Sequence, residues 1–385
     1  MRSESKNKFV FFYAYFVAAV IFVYVHTYLP VYFFNILNVD RIKLAFVQIF
    51  SYSALFAKPL ISIYFDKRTL KNRSLIFVSV FAIVFSFILL VSSLSLLIIF
   101  GIFLGVNLAF ISVMDVVIDK LILQASSDTK ERQKNSMIIH IGALFGAILP
   151  NVLYLMTFGE LTDMNIWSQF FLIGIIVIAP IIPLMLFLNI KIADKVEEKE
   201  KPKSEINKKI IALLCIFMFI YMANGLYEYP LEPWIIEKYG KDSFGLFTIA
   251  IIIWVLLNAI GVIIAGSVMD KLKDKKIIIY SMTICGVIFV IAPFTDIISL
   301  LILFSITQLL AGFIMVKLTS LMINISQNRV AVYQLMASFS VLGIIIFLPL
   351  GTYLSGFVAT EFLLVTAGVL FIVSVIPLCF IKEKT

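Results

Sequence analysis

Two short stretches decide how this chain is organised: SIYFDKRTLKNR at residues 62–73 and GSVMDKLKDKK at residues 266–276. Aligned on their aspartates, Ser62 falls on Gly266, Asp66 on Asp270 and Lys67 on Lys271, and a basic run follows each. Each stretch closes an apolar segment long enough to cross a bilayer, which takes about 20 such residues. A lone Asp-Lys pair in a loop can be mere solvation, but two copies at matching places read as a repeat. A second match supports it. ALFGAILP ends at Pro150 and LGIIIFLP ends at Pro349, each in the third apolar segment after its Asp-Lys pair.

Composition tells the same story at coarser grain. The 385 residues are 62% hydrophobic and 14% charged, with a mean hydropathy of +1.08. A soluble domain sits nearer half apolar and about a quarter charged, so a bilayer, not a soluble core, must absorb this sequence. Apolar runs predict spans near 9–34, 44–65, 74–92, 95–124, 136–157 and 167–190, then 210–233, 244–268, 277–294, 298–325, 331–355 and 362–381. The break at 92–95 (SSLS) is the thinnest. The polar stretch KIADKVEEKEKPKSEINKK, residues 191–209, separates the two groups of six. The expected fold is an all-α integral membrane protein with 12 transmembrane helices in two pseudo-symmetric six-helix bundles. Residues 1–190 form one bundle, 191–209 a cytoplasmic linker and 210–385 the other, related by an axis along the membrane normal. The first apolar run is too long for a signal-peptide core and lacks a small-residue cleavage site, so it reads as a span.

Charge supplies the orientation. Of 31 Lys and Arg, twenty-four fall in the tails and alternate loops on one face. Arg41, Lys43, Lys238 and Lys241 fall on the other, and Lys58, Lys120 and Lys317 lie within spans. Positive charge collects on the cytoplasmic side, which puts both termini in the cytoplasm of a plasma (inner) membrane. The net charge of +8 therefore faces anionic lipid rather than nucleic acid. Cys215, Cys285 and Cys379 lie far apart in apolar runs, without metal-ligand spacing. No metal or cofactor is expected. There is no phosphate-binding Gly-rich loop to supply ATP drive and no nucleophile–base pattern to suggest an enzyme.

The two Asp-Lys loops resemble the cytoplasmic signature of the major facilitator superfamily, G-x(3)-D-[RK]-x-G-[RK]-[RK], which follows spans 2 and 8 there as here. The second copy keeps Gly266, Asp270 and Lys271 without the later glycine; the first has Ser62 in place of the leading one. A small residue there lets helices approach closely, and the aspartate can sit at a facing helix N-terminus. The resemblance implies a gating role for Ser62, Asp66, Lys67, Gly266, Asp270 and Lys271. AKPLISIYFDK at 57–67 is similar to the K-P-L…D pattern of folate–biopterin transporters and muropeptide permeases. SVMDVVIDKL at 112–121 is similar to a D-[IV]-x-[IV]-D pattern of those families and of acetyl-coenzyme A transporters. The run LMINISQNRVAVYQLMASFSVLG at 321–343 has the texture of the muropeptide permeases. The resemblance implies a solute transporter with spans 1, 4, 7 and 10 around a central cavity.

Ionisable side chains inside the hydrocarbon cost about 3 kcal/mol or more and mark sites by default. Asp115 and Asp119 share one face of span 4 at i, i+4 and can hold and release a proton together. Lys317, alone in span 10 at nearly the equivalent place, is expected to face them as an ion pair across the cavity. Lys58 in span 2 is either a partner for Asp115 or Asp119 or an anchor for the following loop. His26, among Tyr24, Tyr28 and Tyr32, and His140 titrate in the physiological range and can relay protons. Tyr221, Asn224 and Glu228 form a stripe on span 7, with Glu228 as an outer coupling acid beside Pro230 and Pro233. Glu232 is expected at the water interface.

The leading expectation is a secondary active transporter moving a small anionic or zwitterionic organic solute by alternating access, as a proton symporter. An uncoupled facilitator or exporter stays open, as does, from another class, a non-transporting receptor on a transporter scaffold. The expected partners are the solute, membrane lipid and protons, and the chain is expected to work as a monomer.

Overall fold

The computed structural model describes residues 3–56, 58, 60–62, 74–93, 96–125, 129–157, 164–178, 208–267, 274–326 and 330–380. Every regular element among them is helical. Helix α1 runs from Ser3–Val23 through wider π-helical turns at Tyr24–Tyr28 and Tyr32–Ile36. Then follow α2 (Arg41–Tyr52), α3 (Ser74–Ser92), α4 (Leu97–Ala125), α5 (Thr129–Thr157) and α6 (Met164–Ile178). The second set is α7 (Lys208–Tyr239), α8 (Ser243–Ser267), α9 (Asp274–Ile291), α10 (Ile297–Ser326), α11 (Val330–Leu354) and α12 (Thr360–Val373). Among the described residues nine helices are long and apolar enough to cross a membrane, and Val78–Leu89 and Leu342–Leu354 are shorter apolar stretches. The thin break holds: α3 ends at Ser92 and α4 begins at Leu97. The end of the sixth expected span and the stretch 191–207 lie outside the described residues.

Local chemistry sets the turns. Asp40 caps α2 by accepting a hydrogen bond from the Ile42 amide at 2.7 Å, satisfying one of the donors a helix start leaves free. Asp296 caps α10 the same way, accepting from the amides of Ile298 and Ser299; hydrogen bonds from Ser299 hold its carboxyl below the usual range. Gly240, at φ +91°, ends α7 in the left-handed region that glycine enters without cost.

Helix pairing follows the sequence repeat. α1 packs on α5 and α7 on α11; α2 on α4 and α8 on α10; α3 on α4 and α6, and α9 on α10 and α12. Each of these pairs recurs with an offset of six helices. The contacts between the two sets obey it too, α2 meeting α11 and α5 meeting α8. Pro150 and Pro349 sit inside α5 and α11 at equivalent places. The described residues thus form an all-α membrane protein of twelve helices in two pseudo-symmetric sets of six. Large apolar side chains such as Phe46, Phe50, Ile98 and Ile298 are exposed on its outside, a surface suited to lipid rather than water.

Close approach within each set is made by small residues. A methyl group at Gly142 or Gly146 would stand 2.2 Å from the Phe12 or Phe16 carbonyl of α1, so α5 lies directly against the α1 backbone. Dispersion and backbone proximity hold this part of the seam, and further along it the Tyr28 hydroxyl of α1 donates to Asn151 of α5.

Candidate functional site

A cavity of about 600 Å³ lies between the two sets. Its walls are chemically unequal. From the first set come Tyr15 and Phe22 of α1, Lys58 just beyond α2, Asp115 of α4 and His140 of α5. From the second come amides and hydroxyls, Asn224, Asn258, Gln308, Thr307, Thr319 and Tyr221, with one carboxylate, Glu228. Rings of Phe217, Tyr227, Phe289 and Phe371 stand among them. α7 and α10 supply most of the lining.

The first wall is organised around Asp115. Lys58 donates to one carboxylate oxygen and the Tyr15 hydroxyl donates to the other. Three helical segments thereby converge on one acid, and the ion pair faces the cavity. A charge-assisted pair of this kind stands where a bare carboxylate would be costly.

At the cavity's far end the two sets touch through His26 and Glu228. Nδ1 of His26 lies 3.1 Å from Glu228 Oε1, without the alignment of a hydrogen bond. Nε2 shares a hydrogen bond of 3.0 Å with the Tyr52 hydroxyl of α2. The Phe22 ring stacks on the imidazole with centroids 3.9 Å apart. The π turn Tyr24–Tyr28 sets the register that points this imidazole at α7, a familiar use of such turns at functional places.

Beyond that contact, on the face away from the chain ends, the sets are sealed. Phe244 of α8 meets Tyr28 and Tyr154 edge-on, at centroid distances of 6.2 and 5.3 Å. Phe34 meets Tyr229 in the same way at 6.0 Å. At the rim, Arg41 donates to Glu237 at 2.6 Å and to the Ser355 carbonyl at 2.8 Å.

Seven of the residues singled out by sequence come together here. Asp115, Lys58, His140, Tyr221, Asn224 and Glu228 line the cavity, and His26 touches Glu228. Tyr28 does not: it is buried in an aromatic cluster with Phe170 and Tyr154, its hydroxyl donating to Asn151 at 2.8 Å. Lys317 is 3% exposed and lies off the cavity wall, though Leu318 and Thr319 are on it. The cation expected opposite Asp115 is therefore Lys58, because α2 continues past its 3-10 turn (Ser53–Phe56) toward α4. Glu232, expected at the water interface, is 6% exposed, because α7 continues past both prolines to Tyr239. Ser62 is buried and Gly266 lies in the last turn of α8, one residue before its end. The Asp119 side chain and Asp66, Lys67, Asp270 and Lys271 lie outside the described residues.

Sequence reading missed Tyr15, Tyr52, Asn258 and Gln308. The two amides carried a signal, being polar residues within long apolar runs. The two tyrosines carried none, because their partners are distant in the chain.

The sequence model of the Major Facilitator Superfamily matches residues 134–333. No curated protein sequence matches the chain. Among solved structures, the human organic anion transporter MFSD10 (TETRAN) is similar at 12% identity, with 98% of this chain and 100% of that one covered and a TM-score of 0.66. A mutant form of the nucleoside transporter NupG is similar at 13% identity, with the same coverages and a TM-score of 0.71. At these identities the likeness is one of fold. With the family's sequence pattern over more than half its length, and twelve helices paired in two sets of six, the chain belongs to the Major Facilitator Superfamily and is a membrane transporter, not an enzyme.

Proposed function

We propose that the chain is a proton-coupled symporter for a small organic solute with an acidic group, working as a monomer by alternating access. Its units are 1–190 and 210–385, tethered by 191–209. The observation that carries this reading is the Lys58–Asp115–Tyr15 arrangement on the cavity wall. While Asp115 is ionised, Lys58 is committed to it, and the described charges on the wall are one cation against Asp115 and Glu228. Such a wall repels an anion. A proton on Asp115 cancels that carboxylate and releases the Lys58 ammonium, which then takes the acidic group of the solute. Proton and solute thus enter together, and loss of the proton restores the internal pair and expels the solute.

The wall opposite, with its amides, hydroxyls and rings, suits the uncharged remainder of such a solute. The K-P-L and D-x-x-x-D patterns, which resemble those of muropeptide permeases, acetyl-coenzyme A transporters and folate–biopterin transporters, support a relation to that branch. The charge census supports a plasma (inner) membrane with both termini cytoplasmic. On that orientation the sealed face is external and the cavity belongs to an inward-facing state.

The test begins with a thermal-shift screen of the purified protein against nucleotides, folates, peptides and sugars, followed by uptake of the hits into proteoliposomes. Collapsing the proton gradient must abolish uphill accumulation. Asp115→Asn must abolish accumulation at least tenfold while leaving counterflow exchange, since the amide imitates a permanently protonated acid. Accumulation unchanged in both experiments overturns the coupling.

A further inference from the structure

The seam joining α1, α2 and α7 beyond the cavity holds polar atoms that it does not satisfy. Glu232 is 6% exposed and its Oε2 has no hydrogen-bond partner. Gln48 of α2 is 1% exposed, and its amide approaches the Tyr229 hydroxyl without the geometry of a full hydrogen bond. Helical spacing puts Glu232 one turn beyond Glu228 and on the side of Tyr229, and Gln48 lies against Tyr229 from α2.

Two features of this cluster point to a ligand. The first is charge. The titratable groups facing Glu232 are Glu228, Tyr227 and Tyr229 on its own helix and Tyr28 from α1. The imidazole of His26 is engaged with Glu228 and Tyr52. Among the described residues no Lys or Arg pairs with Glu232. A carboxylate cannot keep its charge cheaply in such a place, whereas a neutral carboxylic acid can stay there. The second is location. Buried polar groups without partners are rare in permanent cores. Here they lie on opposite sets, Gln48 on one and Glu232 on the other, so separation of the sets gives both to water.

We propose that Glu232 is a proton-binding site, holding a proton while the far face is sealed and exchanging it with the far side when α1 and α2 part from α7. The exchange is simple: the O–H bond at Glu232 breaks, the proton passes to water entering the opened seam, and the carboxylate becomes hydrated. A proton travelling from the far face to the cavity then meets Glu232, the His26–Glu228 contact and Asp115 in that order. The inference rests on the alternating-access reading, but not on Asp115 being the coupling acid.

The test needs no solute, only the full-length protein in liposomes and proton–deuteron exchange followed by infrared difference spectroscopy. At neutral pH the wild-type protein should show the C=O stretch of a protonated, weakly hydrogen-bonded carboxyl group. The band should move when the protein carries ¹³C-glutamate, disappear in Glu232→Gln, and persist in Glu228→Gln and Asp115→Asn. Should Glu232→Gln fail to fold, Glu232→Asp must shift the band, since it withdraws the carboxyl by one methylene. Absence of the band in the wild type, its indifference to the glutamate label, or its survival unmoved in the position 232 variants overturns the proposal. Transport that ignores Asp115→Asn would sink the coupling mechanism and leave this band where it is, so the two failures are distinguishable.

Discussion

Helix α1 makes two seams from opposite materials. Against α5 it lies backbone to glycine, with Gly142 and Gly146 set on the carbonyls of Phe12 and Phe16. Against α7 and its neighbours it offers an imidazole, a tyrosine and a phenylalanine, with polar atoms left over. The first seam has no slack, and its polar pair, Tyr28 with Asn151, is already satisfied within it. The second is closed by rings that meet edge-on and by polar groups that water would satisfy. A transporter that rocks two bodies needs both kinds: a seam that never opens, so that each body stays rigid, and one whose closed state is stable by only a little. The same contrast recurs six helices on, where Gly343 seats α11 against the Tyr221 backbone of α7.

The largest expected effect comes from breaking the permanent seam. Gly142→Val forces branched carbon into a site where even the first atom would stand 2.2 Å from the Phe12 carbonyl oxygen. Neither helix backbone can yield without undoing its own hydrogen bonds. Overpacking costs about 1–3 kcal/mol where side chains can adjust, and more where they cannot. We expect loss of monodisperse protein in size-exclusion chromatography, or a fall in melting temperature well beyond that of any substitution in the other seam. A variant with wild-type melting would show that α1 and α5 are not the fixed pair.

Much of this contrast was legible in the sequence, and the part that was not has a physical reason. The Asp-Lys repeat and the Pro150–Pro349 match implied two related sets of helices, and the pairings recur accordingly. Asp115, Glu228 and His26 stood out because ionisable groups in hydrocarbon are expensive wherever the helices are placed. The choice of Lys58 over Lys317 as the partner of Asp115 was not legible. It depends on how far α2 continues toward α4, which hydropathy does not encode. Glu232 was misplaced for a similar reason: the seventh apolar run was expected to end at residue 233, yet α7 carries Pro230 and Pro233 inside it and continues to Tyr239. Tyr15 and Tyr52 are two among 15 tyrosines, and only the fold singles them out.

A middle-sized effect should follow from weakening the separable seam at its aromatic centre. Phe244 is fully buried and bridges Tyr28 and Tyr154 of the other set. Truncating a buried Phe costs about 3–5 kcal/mol, but part of that belongs to packing within its own set, against Phe247. If about 2 kcal/mol falls on the sealed state alone, Phe244→Ala moves the balance toward the far-open state roughly thirtyfold. A cysteine replacing Gln48, in a protein whose native cysteines are replaced, reports this through its labelling rate by an impermeant maleimide. An unchanged rate would mean that the seam does not open there.

The smallest effect is expected at the rim. Arg41 ties the start of α2 to Glu237 and to the Ser355 carbonyl, and its guanidinium stands 5.1 Å from the centre of the Phe34 ring. Three contacts suggest a strong latch, but Glu237 is half exposed. Exposed pairs contribute about 0.2–1 kcal/mol, since water and salt screen them. Arg41→Ala should therefore speed labelling of the same cysteine only about two- to fivefold, far less than Phe244→Ala. Salt separates this latch from the aromatic contacts. Raising ionic strength to about 0.5 M shortens the screening length to a few ångströms, so it should accelerate labelling in the wild type and in Phe244→Ala, and change it little in Arg41→Ala. A rim that opened more than the aromatic centre on mutation would reverse the order, placing the energy of closure in the ion pair rather than in the rings.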